Sequence, residues 1–300
     1  MSRVGRAIRR VVVERLFEHP RLQESKALEV LEFERLNRLA AEVRDGFRSA
    51  SPYPHVVIDD FLPLEAAEEL AQEFEQIGED SWKHYHHYNE RKLAITDLEL
   101  MPSTTQRVVG ALQSQPAVDL MTALSGIDGL ISDPSLEGAG MHLVQRGGFL
   151  NVHTDFLAHT KYRTWSRHIN LLLYLNKDWQ EEWNGNLELW DDDLSECIQS
   201  IPPLFNRCVI FETLEKSYHG HPEKLSCPSG VSRKSLLLYY YRDEGKELEL
   251  SSTNYRPLPG DSLARRLLIT ADRMLLRLYT FVKGHTKISD RLMDRILRRL

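Results

Sequence analysis

The stretch "NVHTD" sets His153 and Asp155 two positions apart. In an extended chain, residues i and i+2 point to the same face. Both side chains can therefore enter one interior while Thr154 faces away. An imidazole and a carboxylate on one face supply two ligands of a two-His-one-carboxylate metal site, which leaves coordination positions open for reactants. H-x-D alone is a weak signal, because so short a pattern arises by chance. A third ligand is required, and "EKSYHGHPEKL" offers His219 and His221 just after the apolar run "RCVIFET". The two-residue rule lets both point inward, so spacing does not choose between them. The bland alternative for either is an ordinary loop histidine.

A second pair lies further on. In "SRKSLLLYYY", Arg233 and Ser235 again share a face, with Leu237 and Tyr239. A buried guanidinium is costly unless an anion meets it. A guanidinium that grips a carboxylate in a fork, with a hydroxyl beside it, is a carboxylate receptor.

These residues need a scaffold. The 300 residues, 42% hydrophobic, suffice for one large domain with extensions or two small ones. Residues 26–47 place Leu28, Leu31, Leu36, Leu39, Val43 and Phe47 at helical steps, with Ser25 as a cap. "YPHVVIDDFLP" gives a short strand over 55–61, "LEAAEELAQEFEQIG" a second helix, and "SWKHYHHYNERK" a loop. That loop carries His84, His86 and His87, which could hold a second metal or shape substrate access; a mobile loop is the preferred reading. "PAVDLMTALSG" opens with Pro116 and closes with Gly126, as a short helix does. From about residue 139, short apolar runs alternate with Gly, Asn and Asp clusters, the signature of a sandwich or barrel. After Asp261, Leu263, Leu267, Met274, Leu275 and Leu278 line another helix before Gly284, and Ser289 caps a last one.

Three cysteines without CxxC spacing argue against a disulfide framework and a thiolate zinc site, and fit a reducing cytoplasm. No apolar stretch reaches the ~18 residues of a transmembrane helix, and "VVV" near the start is too short for a signal-peptide core. The ends are basic, +4 over 1–16 and +6 over 261–300, which leaves −16 for the middle of a chain at −6. An acidic body does not suggest a nucleic-acid partner. Basic termini, with Arg3, Arg6, Arg9 and Arg10 around "VVV", can lie on an anionic surface. The preferred expectation is that they pack on the barrel and present arginines to water.

The run from "GGFLNVHTDF" through "RHINLLLYLNKDWQEEWNGNLELWD", "FNRCVIFET" and "SYHGHP" to "SRKSLLLYYYR" resembles the Fe(II)- and 2-oxoglutarate-dependent dioxygenases, in their prolyl 4-hydroxylase-like branch. The likeness covers about residues 139–243, and "YPHVVIDDFLP" through "SGIDGLISDPSLEGAGMH" looks like the lead-in of bacterial members. It implies a double-stranded β-helix, or jelly roll, with flanking helices: a helical extension over 1–50, the catalytic domain over 51–245 and a basic helical extension over 246–300. By position, His153, Asp155 and His219 match the iron ligands, Arg233 and Ser235 the clamp on the far carboxylate of 2-oxoglutarate, and Tyr174 a tyrosine that reaches the same carboxylate. A packed core tyrosine is the alternative for Tyr174, and a structural role is preferred for His142. Two departures stand out: no tyrosine in "MHLVQRGG" before the triad, and Asn184-Gly185 where the family carries Gly-Gly.

The resemblance implies an enzyme that turns 2-oxoglutarate and O2 into succinate and CO2 while hydroxylating a substrate carbon, with L-ascorbate as reductant. Halogenating members replace the carboxylate matched by Asp155, so its presence implies hydroxylation. The substrate would be a protein or peptide, through a prolyl or other amino-acid side chain, or a natural product, lipid or glycan. Two readings from other classes are a zinc hydrolase, which has no need of Arg233 and Ser235, and a non-catalytic jelly-roll binding module.

Overall fold

The computed structural model describes residues 30–285. In chain order these form α1 (Phe33–Ser49), β1 (His55–Ile58), α2 (Leu64–Gln76), β2 (Lys83–His87), β3 (Glu90–Ile95), α3 (Ser103–Gln113), α4 (Gln115–Ser125) and β4 (Leu130–Ser132). Then follow β5 (Gly140–Gln145), β6 (Phe149–Thr154), β7 (Trp165–Tyr174), β8 (Leu187–Trp190), β9 (Cys197–Ile201), β10 (Arg207–Glu212), β11 (His219–His221), β12 (Ser232–Asp243), β13 (Asn254–Tyr255) and α5 (Leu263–His285).

The strands pair in the order β1-β10-β7-β12-β5-β3-β6-β11-β8-β9, every pairing antiparallel, with β2, β4 and β13 on β3, β12 and β6. The curled sheet with helices against it is the jelly-roll architecture expected from the sequence.

β7 explains how one strand serves two cores. Its run "INLLLY" is buried on both faces. Ile169, Leu171 and Leu173 join the core that α1–α4 cover, with Leu70, Leu112 and Leu124. Leu172 and Tyr174 face the other way, onto Leu187, Leu189, Val209 and Phe211 inside the curl. Each such side chain contributes roughly 1.5–3 kcal/mol by leaving water. Tyr240 ties the layers together by donating its hydroxyl to the Leu112 carbonyl at 2.7 Å. α4 starts with proline in its first turn and ends at Gly126, whose φ of 75° suits a left-handed cap.

Three expectations change. The helix expected over 26–47 begins only at Phe33. Val30 and Leu31 are buried ahead of it; residues 26–29 and the expected cap Ser25 lie outside the described residues, as do Arg3, Arg6, Arg9, Arg10 and the helix expected after Ser289. The expected loop "SWKHYHHYNERK" is mostly a hairpin, with Lys83 opposite Ala94 and His87 opposite Glu90. Its alternation is polar against half-polar, His84 and His86 exposed and Tyr85 and His87 half-buried, so it lacks the apolar face by which strands are read.

The third change concerns α5. It was expected to turn its arginines to water. Instead Arg265, Arg266 and Arg273 are half-buried and bond to Asn151 Oδ1, the Leu258 carbonyl and the Tyr255 carbonyl at 3.2, 3.2 and 3.3 Å. Asp272 accepts from Asn89 at 2.6 Å and bonds His87 at 2.8 Å. The anchoring is polar, and the helix leucines are left outside.

Candidate active site

β6 and β11 lie side by side, and His153 sits directly opposite His219. The register breaks after His219, so His221 pairs with Leu150 instead. Gly220 permits this approach: a Cβ there would lie 2.9 Å from the Leu150 carbonyl oxygen. Asp155 follows the end of β6. One donor atom each from His153, Asp155 and His219 falls within 4.8 Å of the others, the one such group of three or more among the described residues. Nε2 of His153 is 3.6 Å from Asp155 Oδ1, and Nε2 of His219 is 3.5 Å from Asp155 Oδ2.

The donor chemistry fits a cation. Nδ1 of His153 is 2.9 Å from the Asn151 carbonyl, and Nδ1 of His219 is 2.9 Å from the Ser217 carbonyl. A carbonyl only accepts, so each Nδ1 carries the proton and each Nε2 turns a lone pair toward Asp155. Burial, reinforced by His153, lowers the His219 pKa to about 4, against the pull of Asp155. The ring is thus neutral at neutral pH. Burial works against ionisation of Asp155, but Arg167 and His219 outweigh it and hold the carboxyl well below its usual range. Asp155 Oδ2 accepts from Arg167 at 2.9 Å and Asn170 at 2.7 Å.

Arg233 and Ser235 enter the same cavity from β12. Arg233 is 4% exposed. Its Nε donates to the Gly185 carbonyl at 2.7 Å, and one terminal nitrogen to the Tyr174 hydroxyl at 3.1 Å. Both acceptors are neutral, so its charge has no carboxylate partner among the described residues, a cost that a bound dicarboxylate would relieve. Tyr174 is thus buried and engaged with Arg233. Asn184 and Gly185 both take positive φ, 60° and 84°. With ψ at −159°, Asn184 lies outside the left-handed helical region and holds a conformation that glycine adopts more readily. Gly185 is less replaceable: an added Cβ would meet Leu225 at 2.6 Å and the Arg233 side chain at 3.2 Å. Gly185→Ala is expected to lower stability by roughly 1–3 kcal/mol and to weaken 2-oxoglutarate binding. Thermal unfolding and a cosubstrate titration check this; an unchanged titration would show that Arg233 does not depend on the turn.

Several residues in or beside the cavity were not singled out in the sequence. Arg167 pairs with Asp155 and stacks 3.3 Å from the Tyr239 ring centre. The argument used for Arg233, a charge within an apolar strand run, applies equally to "SRHINLLLY" and would have found it. Lys92 lines the cavity while paired with Glu90 at 2.9 Å. Tyr255 lies opposite His153 in the β13–β6 pairing, ring centres 5.3 Å apart; nothing local in its sequence signals that contact. His142, given a structural role from sequence, lines the cavity opposite Ser235, its Nε2 buried without a partner. His221 also lines it, Nδ1 unpartnered. Of the hairpin histidines, His87 is held between Glu90 and Asp272 at 2.9 and 2.8 Å, and none of the three joins a metal-holding group among the described residues.

Known proteins resemble this chain over its β-core. The family model described as the 2OG-Fe(II) oxygenase superfamily matches residues 139–242. The prolyl 3-hydroxylase OGFOD1 of Mus musculus is 27% identical over 153 residues, which cover 50% of this chain and 26% of that protein. The chain thus spans about a quarter of that relative's length. A prolyl hydroxylase of Trichoplax adhaerens, solved with a hypoxia inducible factor oxygen degradation domain peptide fragment, superposes with TM-score 0.50 at 17% identity, over 71% of this chain and 92% of its own. A Pseudomonas putida prolyl-4-hydroxylase has TM-score 0.48 at 19% identity, over 68% of this chain and 98% of its own. Residues 139–242, which carry His153, Asp155, His219, Arg233 and Ser235, are thus the part of the chain that is similar to the 2OG-Fe(II) oxygenase superfamily.

Proposed function

We propose that this chain is a hydroxylase that uses Fe(II), 2-oxoglutarate and O2. The observation that carries the reading is that Asp155 and His219 of a His-Asp-His donor group line one cavity with a buried arginine that has no carboxylate partner. His153, Asp155 and His219 would hold the iron. Arg233 and Ser235, with Tyr174 behind Arg233, would hold the far carboxylate of 2-oxoglutarate. The bound iron and cosubstrate supply the oxidising power, with succinate and CO2 as coproducts and L-ascorbate as the reductant that restores ferrous iron. The protein orients and keeps the cavity dry. Arg167 and Asn170 fix the Asp155 carboxylate, and the backbone carbonyls of Asn151 and Ser217 fix the imidazoles. A zinc hydrolase would leave Arg233 and Ser235 without a task.

The substrate class we favour is a prolyl or other amino-acid side chain of a protein or peptide. Its support is the similarity to the mouse prolyl 3-hydroxylase. The alternative is a natural product, lipid or glycan. We assign the catalytic unit to 51–245, with 1–50 and 246–300 as extensions, although Tyr255 reaches back onto His153. Free Cys197, Cys208 and Cys227 favour a reducing, cytoplasmic setting. The test is a succinate-release assay across peptides, free amino acids and cell extracts, followed by mass spectrometry. A gain of one oxygen in the stimulating substrate is expected. No succinate above background under any condition would overturn the reading.

A further inference from the structure

α5 is inverted relative to an ordinary surface helix. Arginines and an aspartate anchor it, as described above, and Ile269 is its buried apolar residue at 1% exposure. Its outward face is apolar: Leu263, Leu267, Met274 and Leu278 are 80%, 71%, 64% and 60% exposed, with Leu268 and Leu275 at 50% beside them. The first four lie four, seven and four residues apart, one or two helical turns each, so they form one stripe along four turns. A stripe of this kind facing water marks a contact surface. No helix among the described residues is long and apolar enough to cross a membrane.

The charge beside the stripe is positive and poorly compensated. Arg256 and Arg277 are exposed, and Arg273 lies between β13 and the helix. Burial, then Arg277 and Arg256, disfavour the charged form of Arg273, so these guanidiniums repel one another. The Nε atoms of Arg266 and Arg273 are buried without partners. The two carboxylates of the region are already used, Asp272 by His87 and Asn89, Asp261 by Arg265 at 2.9 Å. The sequence over 261–300 carries ten Lys and Arg against four Asp.

We propose that the outward face of α5 docks on an anionic lipid bilayer, leucines in the interface and arginines among the headgroups. Charge complementarity selects this occupant. A second copy would bring the exposed Arg256 and Arg277 against their own kind, whereas anionic headgroups neutralise them. The docked helix is fastened to the ligand-bearing strand through Arg265 on Asn151, so the bilayer would hold the site at a defined distance from its surface.

The test is flotation of the full chain with phosphatidylcholine vesicles, with and without phosphatidylserine, at low and high salt. Binding is expected only with phosphatidylserine and to weaken with salt. Leu267→Glu combined with Leu275→Glu should reduce binding at least about tenfold, with the unfolding midpoint unchanged because both side chains are exposed. Arg256→Gln with Arg277→Gln should flatten the salt dependence. Wild type that fails to float, or a double-glutamate variant that floats as well as wild type, overturns the proposal. A wild-type dimer in light scattering that this variant dissociates, without vesicle binding, assigns the stripe to a second copy and overturns it. So does a lowered unfolding midpoint in the variant with vesicle binding intact, which assigns the stripe to another part of this chain.

Discussion

Ferrous iron binding is expected to be lost in His219→Ala and largely kept in His221→Ala. The two histidines are two residues apart, both buried, and both line the cavity. What separates them is register. His219 is opposite His153, while the shift across Gly220 sends His221 to Leu150. His219 turns Nε2 to within 3.5 Å of Asp155 because the Ser217 carbonyl takes the proton side of the ring. Removing one of three protein ligands should cost more than the ~10- to 100-fold that follows loss of an outer partner of a ligand. His221→Ala removes a side chain whose Nδ1 has no protein partner, so the metal should stay. Anaerobic Fe(II) titration with 2-oxoglutarate turnover decides the matter. A dead His221→Ala variant beside an iron-competent His219→Ala would reverse the ligand assignment.

Local patterns carried much of this site, and the pieces they missed share a cause. His153 with Asp155 and Arg233 with Ser235 are each two apart on or beside a strand, so period two puts them on one face without knowledge of the fold. β7 was legible as a strand because "INLLLY" is apolar throughout, and its burial on both faces follows from helices on one side and the curl on the other. The β2–β3 hairpin was not, since neither face of "KHYHHY" is apolar and its order comes from pairing with β3 and from the His87 links to Glu90 and Asp272. Tyr255 against His153 depends on the chain returning to β6, which no window around either residue encodes. α5 was legible as a helix but not in orientation. Its apolar stripe suggested an inward face, whereas polar partners on the β2–β3 hairpin, β6 and β13 claimed the arginines and Asp272. The choice between His219 and His221 was likewise a matter of register.

Affinity for 2-oxoglutarate should collapse in Arg233→Ala while the metal stays. The guanidinium is almost wholly buried, and its two protein hydrogen bonds go to the Gly185 carbonyl and the Tyr174 hydroxyl. Those bonds aim the group without neutralising it, so a fixed dicarboxylate is the partner that makes its burial affordable. Losing a bidentate charge-assisted pair costs about 2–4 kcal/mol, or about 30- to 1,000-fold in affinity. Arg233→Lys should recover only part, because an ammonium cannot fork onto two oxygens. Ser235→Ala should cost less than either, since one hydroxyl contact disappears and the charge remains. Tyr174→Phe should fall in the same lesser range, because it frees one guanidinium donor and leaves the other bond intact. Iron binding should survive in all four, since none of these side chains belongs to the His153, Asp155 and His219 group. The measurement is titration of the anaerobic Fe(II) protein with 2-oxoglutarate, followed by the metal-to-ligand absorption band. Equal affinity in wild type and Arg233→Ala would remove the 2-oxoglutarate assignment and return the zinc hydrolase and binding-module readings to contention.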